Sequence, residues 1–95
     1  MPEVKIELKF EKAMTRLAGN PYGKRVFDEQ VADKINYNAV NIIYIPNNIE
    51  RIASSFVQGF FTKIIKEVGY EGVKDKIIID TIHEDLKVNI FKDLY

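Results

Sequence analysis

The chain contains neither cysteine nor tryptophan. Without thiols, neither a disulfide framework nor a thiolate metal site can form, and a reducing compartment is expected. A single histidine rules out the H-x-x-x-H and H-E-x-x-H spacings of zinc sites. Net charge is also missing, because fourteen basic residues balance fourteen acidic ones. Nucleic-acid binders carry a basic excess to neutralise phosphates, so no nucleic-acid partner is expected. No apolar run approaches the roughly 20 residues that span a bilayer. The opening Met-Pro-Glu-Val-Lys lacks the apolar stretch of a signal peptide. Neither the phosphate-loop spacing G-x-x-x-x-G-K-[ST] nor a G-x-S-x-G nucleophile elbow occurs. Together these absences lead to the expectation of a cytoplasmic protein with no cofactor, no metal and no membrane contact.

What is present is a globular composition of 46% hydrophobic and 29% charged residues over 95 positions, enough for one domain, 1–95. Val4, Ile6, Leu8 and Phe10 alternate with Lys5, Glu7, Lys9 and Glu11, the period of a half-exposed strand at or near a sheet edge. Residues 11–20 read equally as a short second strand or an irregular return. Asn20-Pro21-Tyr22-Gly23 signals a turn, and a helix is predicted over 23–35 with Val26, Phe27, Val31 and Ile35 inward. Residues 40–45 are nearly all apolar and β-branched, as in a strand covered on both faces. A second helix over 56–68 carries a wide apolar stripe and is stopped by Gly69. A further strand over 76–82 and a closing helix over 84–94 complete the pattern, the helix turning Leu86, Ile90, Phe91 and Leu94 inward. The order predicts an α/β domain with a mainly parallel sheet, an N-terminal edge strand and about three helices.

The start of the second helix carries the main functional candidates. With Ser55 as N-cap, Gln58 takes the third helical position and completes a capping box. Ser54 then lies just outside the helix as a candidate phosphorylation site. Ile52, Ala53, Ser54, Phe56 and Gly59 form a candidate partner-docking surface. Gly59 sits inside a helix, where glycine costs roughly 1 kcal/mol relative to alanine, so close packing against a neighbour is the simpler explanation for it. Gly23, Lys24 and Arg25 follow a tight turn at a helix N-terminus and form a candidate anion site. His83 lies among acidic residues suited to the first turn of a helix. Tyr22, Tyr37, Tyr44, Tyr70 and Tyr95 are scattered and form no base-stacking platform.

Gly23-Lys24-Arg25-Val26-Phe27-Asp28-Glu29, the strand over 41–45 and Ile49-Glu50-Arg51-Ile52-Ala53-Ser54-Ser55-Phe56 together resemble the STAS-like domain family. These small bacterial domains of unknown function are related to anti-sigma-factor antagonists. The resemblance covers residues 15–95. It implies a non-enzymatic regulatory module that docks a protein partner, with a histidine-kinase-type ATPase as the partner class. It also places Ser54 at the phosphorylatable position of the antagonist branch. Here Ala53 stands in place of that branch's aspartate and Phe56 in place of its glycine. A small-ligand sensor for a nucleotide or other anion, and a mobile-element-encoded inhibitor acting by protein docking, are the alternative readings. A homodimer is also considered, through pairing of the first strand with its own copy.

Overall fold

The computed structural model describes residues 2–94, so Met1 and Tyr95 lie outside the described residues. In chain order it contains β1 (Glu3–Glu7), β2 (Arg16–Leu17), α1 (Asn20–Val26), β3 (Val40–Tyr44), β4 (Arg51–Ile52), α2 (Ser54–Lys76), β5 (Ile77–Asp80) and α3 (Glu84–Leu94). One parallel sheet has the order β1-β3-β5, and β2 and β4 form a separate parallel pair. The protein is therefore an α/β domain with three helices and parallel strands, and β1 occupies an edge as its alternation predicts.

The sheet has an inner and an outer face. Ile6, Ile43 and Ile79 stand side by side in register and are buried with the helices. One residue along, Lys5, Ile42 and Ile78 form the matching outer row. Val40, Ile42 and Tyr44 on that face are half-buried, and none belongs to the buried cluster. The expectation that this strand is covered on both faces is thus corrected. A continuous apolar run does not reveal how many faces are covered, because alternation is invisible when every position is apolar.

Asn41 is the buried polar residue of the inner face. Its Oδ1 accepts from the Asn36 N–H at 2.9 Å. Its Nδ2 donates to the carbonyls of Asn36 (2.9 Å), Ala39 (3.1 Å) and Lys76 (3.3 Å). Full satisfaction makes its burial tolerable, and the bonds tie the start of β3 to the end of α2.

Helix boundaries shift from the predicted ones for local reasons. α1 starts at Asn20 rather than Gly23, because Gly19 (φ 99°) turns the chain and Pro21 sits in the first turn, where its missing N–H does no harm. Beyond Val26 the helix widens into a π-helical turn, Phe27–Val31, closed by Ala32 N–H to the Phe27 carbonyl at 2.9 Å. Within that turn Gln30 exchanges two bonds with the main chain of Lys9. In α2, Gly69 (φ 73°, ψ 172°) ends the first helical run where the sequence predicts a stop. The chain then turns helical again to Lys76, so the next strand is shorter than the predicted 76–82. α3 follows its prediction, with Leu86, Ile90 and Leu94 buried and Phe91 half-buried.

Candidate functional site

The parallel order leads each of β1, β3 and β5 towards the N-terminal end of a following helix. At α2 that junction is held by main-chain bonds to β2 and the residue before it. Glu50 N–H and Arg51 N–H reach the Thr15 carbonyl at 2.8 and 3.2 Å, and Ala53 N–H reaches the Leu17 carbonyl at 2.8 Å. Asn48 adds side-chain bonds to the carbonyls of Met14 (2.7 Å) and Glu11 (3.3 Å). The α2 start is therefore fixed by the loop 11–15 and by β2, the segment that remained ambiguous in the sequence.

Ser54 is the first helical residue, and Ala53, extended at φ −74° and ψ 152°, is the N-cap with no side-chain cap bond. The capping box of Ser55 and Gln58 is therefore not formed. Starting the helix earlier rotates Ser55 away from its own first turn. Its Oγ instead accepts the Gly19 N–H at 3.1 Å and so ties α2 to the turn before α1. Ser54 is exposed, as is Gln58.

The candidate docking set divides between surface and core. Ile52 and Ala53 are half-buried beside exposed Ser54. Phe56 is buried, stacked on Phe60 at a centroid distance of 5.9 Å and tilted against Tyr22 at 5.6 Å. Gly59 is buried against the main chain of Asn20. Phe56 and Gly59 thus belong to the α1–α2 contact and are withdrawn from any docking surface. The close packing expected of Gly59 is what the structure shows.

The anion site expected at Gly23, Lys24 and Arg25 is also corrected. Gly23 is packed against the Phe56 carbonyl, and its N–H is bonded to the Gly19 carbonyl at 3.0 Å. Lys24 and Arg25 occupy the last turn of α1 rather than its first. The Arg25 guanidinium lies 5.1 Å from the centroid of the Tyr22 ring, a cation–π arrangement that accounts for it.

Beside Ser54 the surface opens into a cleft of about 460 Å³ between β4 and α3. Arg16, Glu50 and Arg51 line one side, and Asp85 and Asn89 the other, with Ile52 and Ala53 at the end adjoining Ser54. Arg16 and Arg51 are register partners in the β2–β4 pair. Sequence reasoning missed this cleft, since no local spacing links residue 16 to residues 51 and 85. The interior apolar space among Leu8, Ile43, Phe60 and Ile90 is only about 20 Å³, room for little more than one water-sized group.

His83 Nε2 lies 2.8 Å from the Asn47 carbonyl. A carbonyl only accepts, so this nitrogen carries the proton. Among the described residues no group of three or more His, Asp or Glu could hold a metal ion, and no helix is long and apolar enough to cross a membrane.

No protein-family model, curated protein or solved structure matches the chain. Fold and site define it as a small α/β domain with an exposed serine at an uncapped helix start beside a polar cleft.

Proposed function

We propose that this domain is a non-enzymatic regulatory module that docks a protein partner through the start of α2 and the adjoining cleft. The observation that carries the reading is the exposure of Ser54 at a helix N-terminus with no side-chain cap and no acidic residue in the first turn. A negative charge there meets the positive end of the helix dipole. Phosphorylation of Ser54 would add about −1.5 to −2 charges at the rim of the docking surface, next to half-buried Ile52 and Ala53. It would thereby change which partner surface fits.

The cleft favours a polar protein surface over a bare anion, because Arg16 and Arg51 are balanced by Glu50 and Asp85. The resemblance to STAS-like domains supplies the partner class, a histidine-kinase-type ATPase in a bacterial cytoplasm. Co-purification from the native cell with intact-mass measurement tests the reading. The expected result is a stoichiometric partner whose retention depends on Arg51 and Asp85, with a phosphate-sized mass increment at Ser54 in the unbound fraction. Retention unchanged by Arg51→Glu and Asp85→Lys would overturn it.

A further inference from the structure

The main sheet grows in one direction only, and that leaves one of its faces bare. In the order β1-β3-β5, each parallel step moves the same way across the sheet. Crossovers between parallel strands are right-handed, so two steps in one direction carry α1 and α2 to the same face. α3 joins them there, since Val26, Phe60 and Ile90 share one buried cluster with Ile6, Ile43 and Ile79. Parallel strands are ordinarily buried on both faces. Here Val40, Ile42 and Tyr44 are only half-buried and Ile78 is 42% exposed, all outside that cluster.

Charge on the bare face is unbalanced. Glu3, Glu7 and Asp80 share it with a single cation, Lys5, and all four are exposed. Among the described residues the one ion pair is Lys63–Asp28, on the other side of the sheet. Glu7, Tyr44 and Asp80 form one row in register, and the Tyr44 hydroxyl donates to Asn47 Oδ1 at 3.2 Å. Neighbouring strands are ~4.8 Å apart, so the two carboxylates flank the Tyr44 ring at a separation of ~10 Å. A cation over that ring meets its negative face and a carboxylate on either side. A second copy of this chain does not fit. Stacked across a two-fold axis along β3 it sets Glu7 against Asp80 of the other copy. Across an axis perpendicular to the strands, at the level of Ile42, it sets Lys5 against its own counterpart and Glu3 against Glu7. Such like-charge juxtapositions are costly.

We propose that this outer face docks a basic amphipathic helix of another protein, laid along β3. The helix supplies the second layer that a parallel sheet lacks here. Its apolar residues, three or four apart, rise by about 5–6 Å, close to the ~6.6 Å between alternate residues of a strand. They can therefore follow Val40, Ile42 and Tyr44 in turn, with Ile78 widening the apolar track. Lysine or arginine residues flanking that stripe meet Glu3, Glu7 and Asp80, and one of them sits over Tyr44. Charge thus selects a basic partner, and the apolar spacing selects a helix. The face lies on the side of the sheet away from α2, so it is separate from the docking surface at Ser54 and its cleft.

Two synthetic helical peptides of about 14 residues test this, long enough to overrun the ~13 Å from Val40 to Tyr44. Both carry leucines along one face; the flanking positions are lysine in one and glutamate in the other. In an NMR titration of the whole chain, the lysine peptide should shift the amides of Val40, Ile42, Tyr44 and Ile78, and the glutamate peptide should not. Glu7→Lys combined with Asp80→Lys changes exposed side chains and should leave the circular dichroism spectrum unchanged. It should weaken the lysine peptide about tenfold or more, since like charges now face each other, and added salt should weaken binding to the parent. No shift at about 1 mM peptide, a range that admits weak complexes, would overturn the proposal. So would equal binding of both peptides, or shifts centred away from the outer face. Self-association abolished by Ile42→Glu would assign the face to a second copy. Binding to phosphatidylcholine vesicles in place of the peptide would assign it to a lipid surface, and either result overturns the proposal. None of these outcomes bears on the α2 surface, whose test reads Arg51 and Asp85.

Discussion

Gly23 of α1 and Gly59 of α2 stand where the backbones of the two helices touch. A Cβ on Gly23 would overlap the Phe56 carbonyl and lie 2.8 Å from the Phe60 nitrogen, and one on Gly59 would overlap the Asn20 carbonyl. Alanine normally gains roughly 1 kcal/mol over glycine inside a helix. Here the obstructing atoms are main chain and cannot swing aside, so overpacking of about 1–3 kcal/mol wins. Gly59→Ala and Gly23→Ala should each lower the urea midpoint, with the slope unchanged.

Ser55 and Ser54 should separate cleanly. Ser55→Ala leaves the part-buried Gly19 N–H without its acceptor and should cost about 1–2 kcal/mol. Ser54→Ala and Gln58→Ala alter exposed side chains and should stay within about 0.5 kcal/mol of the parent. A capping box would instead make Gln58→Ala costly. Ser54→Glu should stabilise by about 0.3–1 kcal/mol at low ionic strength through the helix dipole, and the gain should fade as salt is added. Thermal melts at two salt concentrations read all four variants.

The sidedness of β3 makes a paired prediction. Ile43 is fully buried, whereas its neighbour Ile42 faces the open side of the sheet. Ile43→Ala should cost about 2–5 kcal/mol, and Ile42→Ala clearly less. Equal losses in chemical denaturation would mean that the outer face is covered. Asn41→Leu should also be costly, because it strands the carbonyls of Ala39 and Lys76 and the N–H of Asn36.

Tyr37 sets an alkaline limit. Burial pushes its phenol above the usual value near 10.0, helped by Glu67 and opposed by Lys63. The folded state holds this proton more tightly than the unfolded chain, so the contribution is complete below the unfolded pKa. It is lost as pH rises through the folded one. Unfolding free energy should therefore fall above pH 10, and Tyr37→Phe should flatten that fall.

Elements with a clear period were legible in the sequence. The alternation of Val4 and Ile6, the stop at Gly69 and the inward Leu86, Ile90 and Leu94 all reappear in the structure. The start of α2 was not legible, because the choice between Ser54 and Ser55 depends on Leu17 and Gly19, more than thirty residues away in the chain. The helix after Gly69 was missed because only Val73 is buried in residues 70–76, too few apolar contacts to show a period. The cleft was invisible for a similar reason. Arg16 lies in a two-residue strand, and its pairing with Arg51 follows from the fold rather than from any local motif.

Docking at the α2 start is tested most directly by site-specific photo-cross-linking in the native cell. Cross-linkers placed at Ser54 and Arg51 should capture the same protein, while one at exposed Lys66, farther along α2, should capture none. Adding Ser54→Glu should lower the yield from position 51 about tenfold, equivalent to about 1.4 kcal/mol. Capture from position 66 alone, or equal capture from all three positions, would contradict the account.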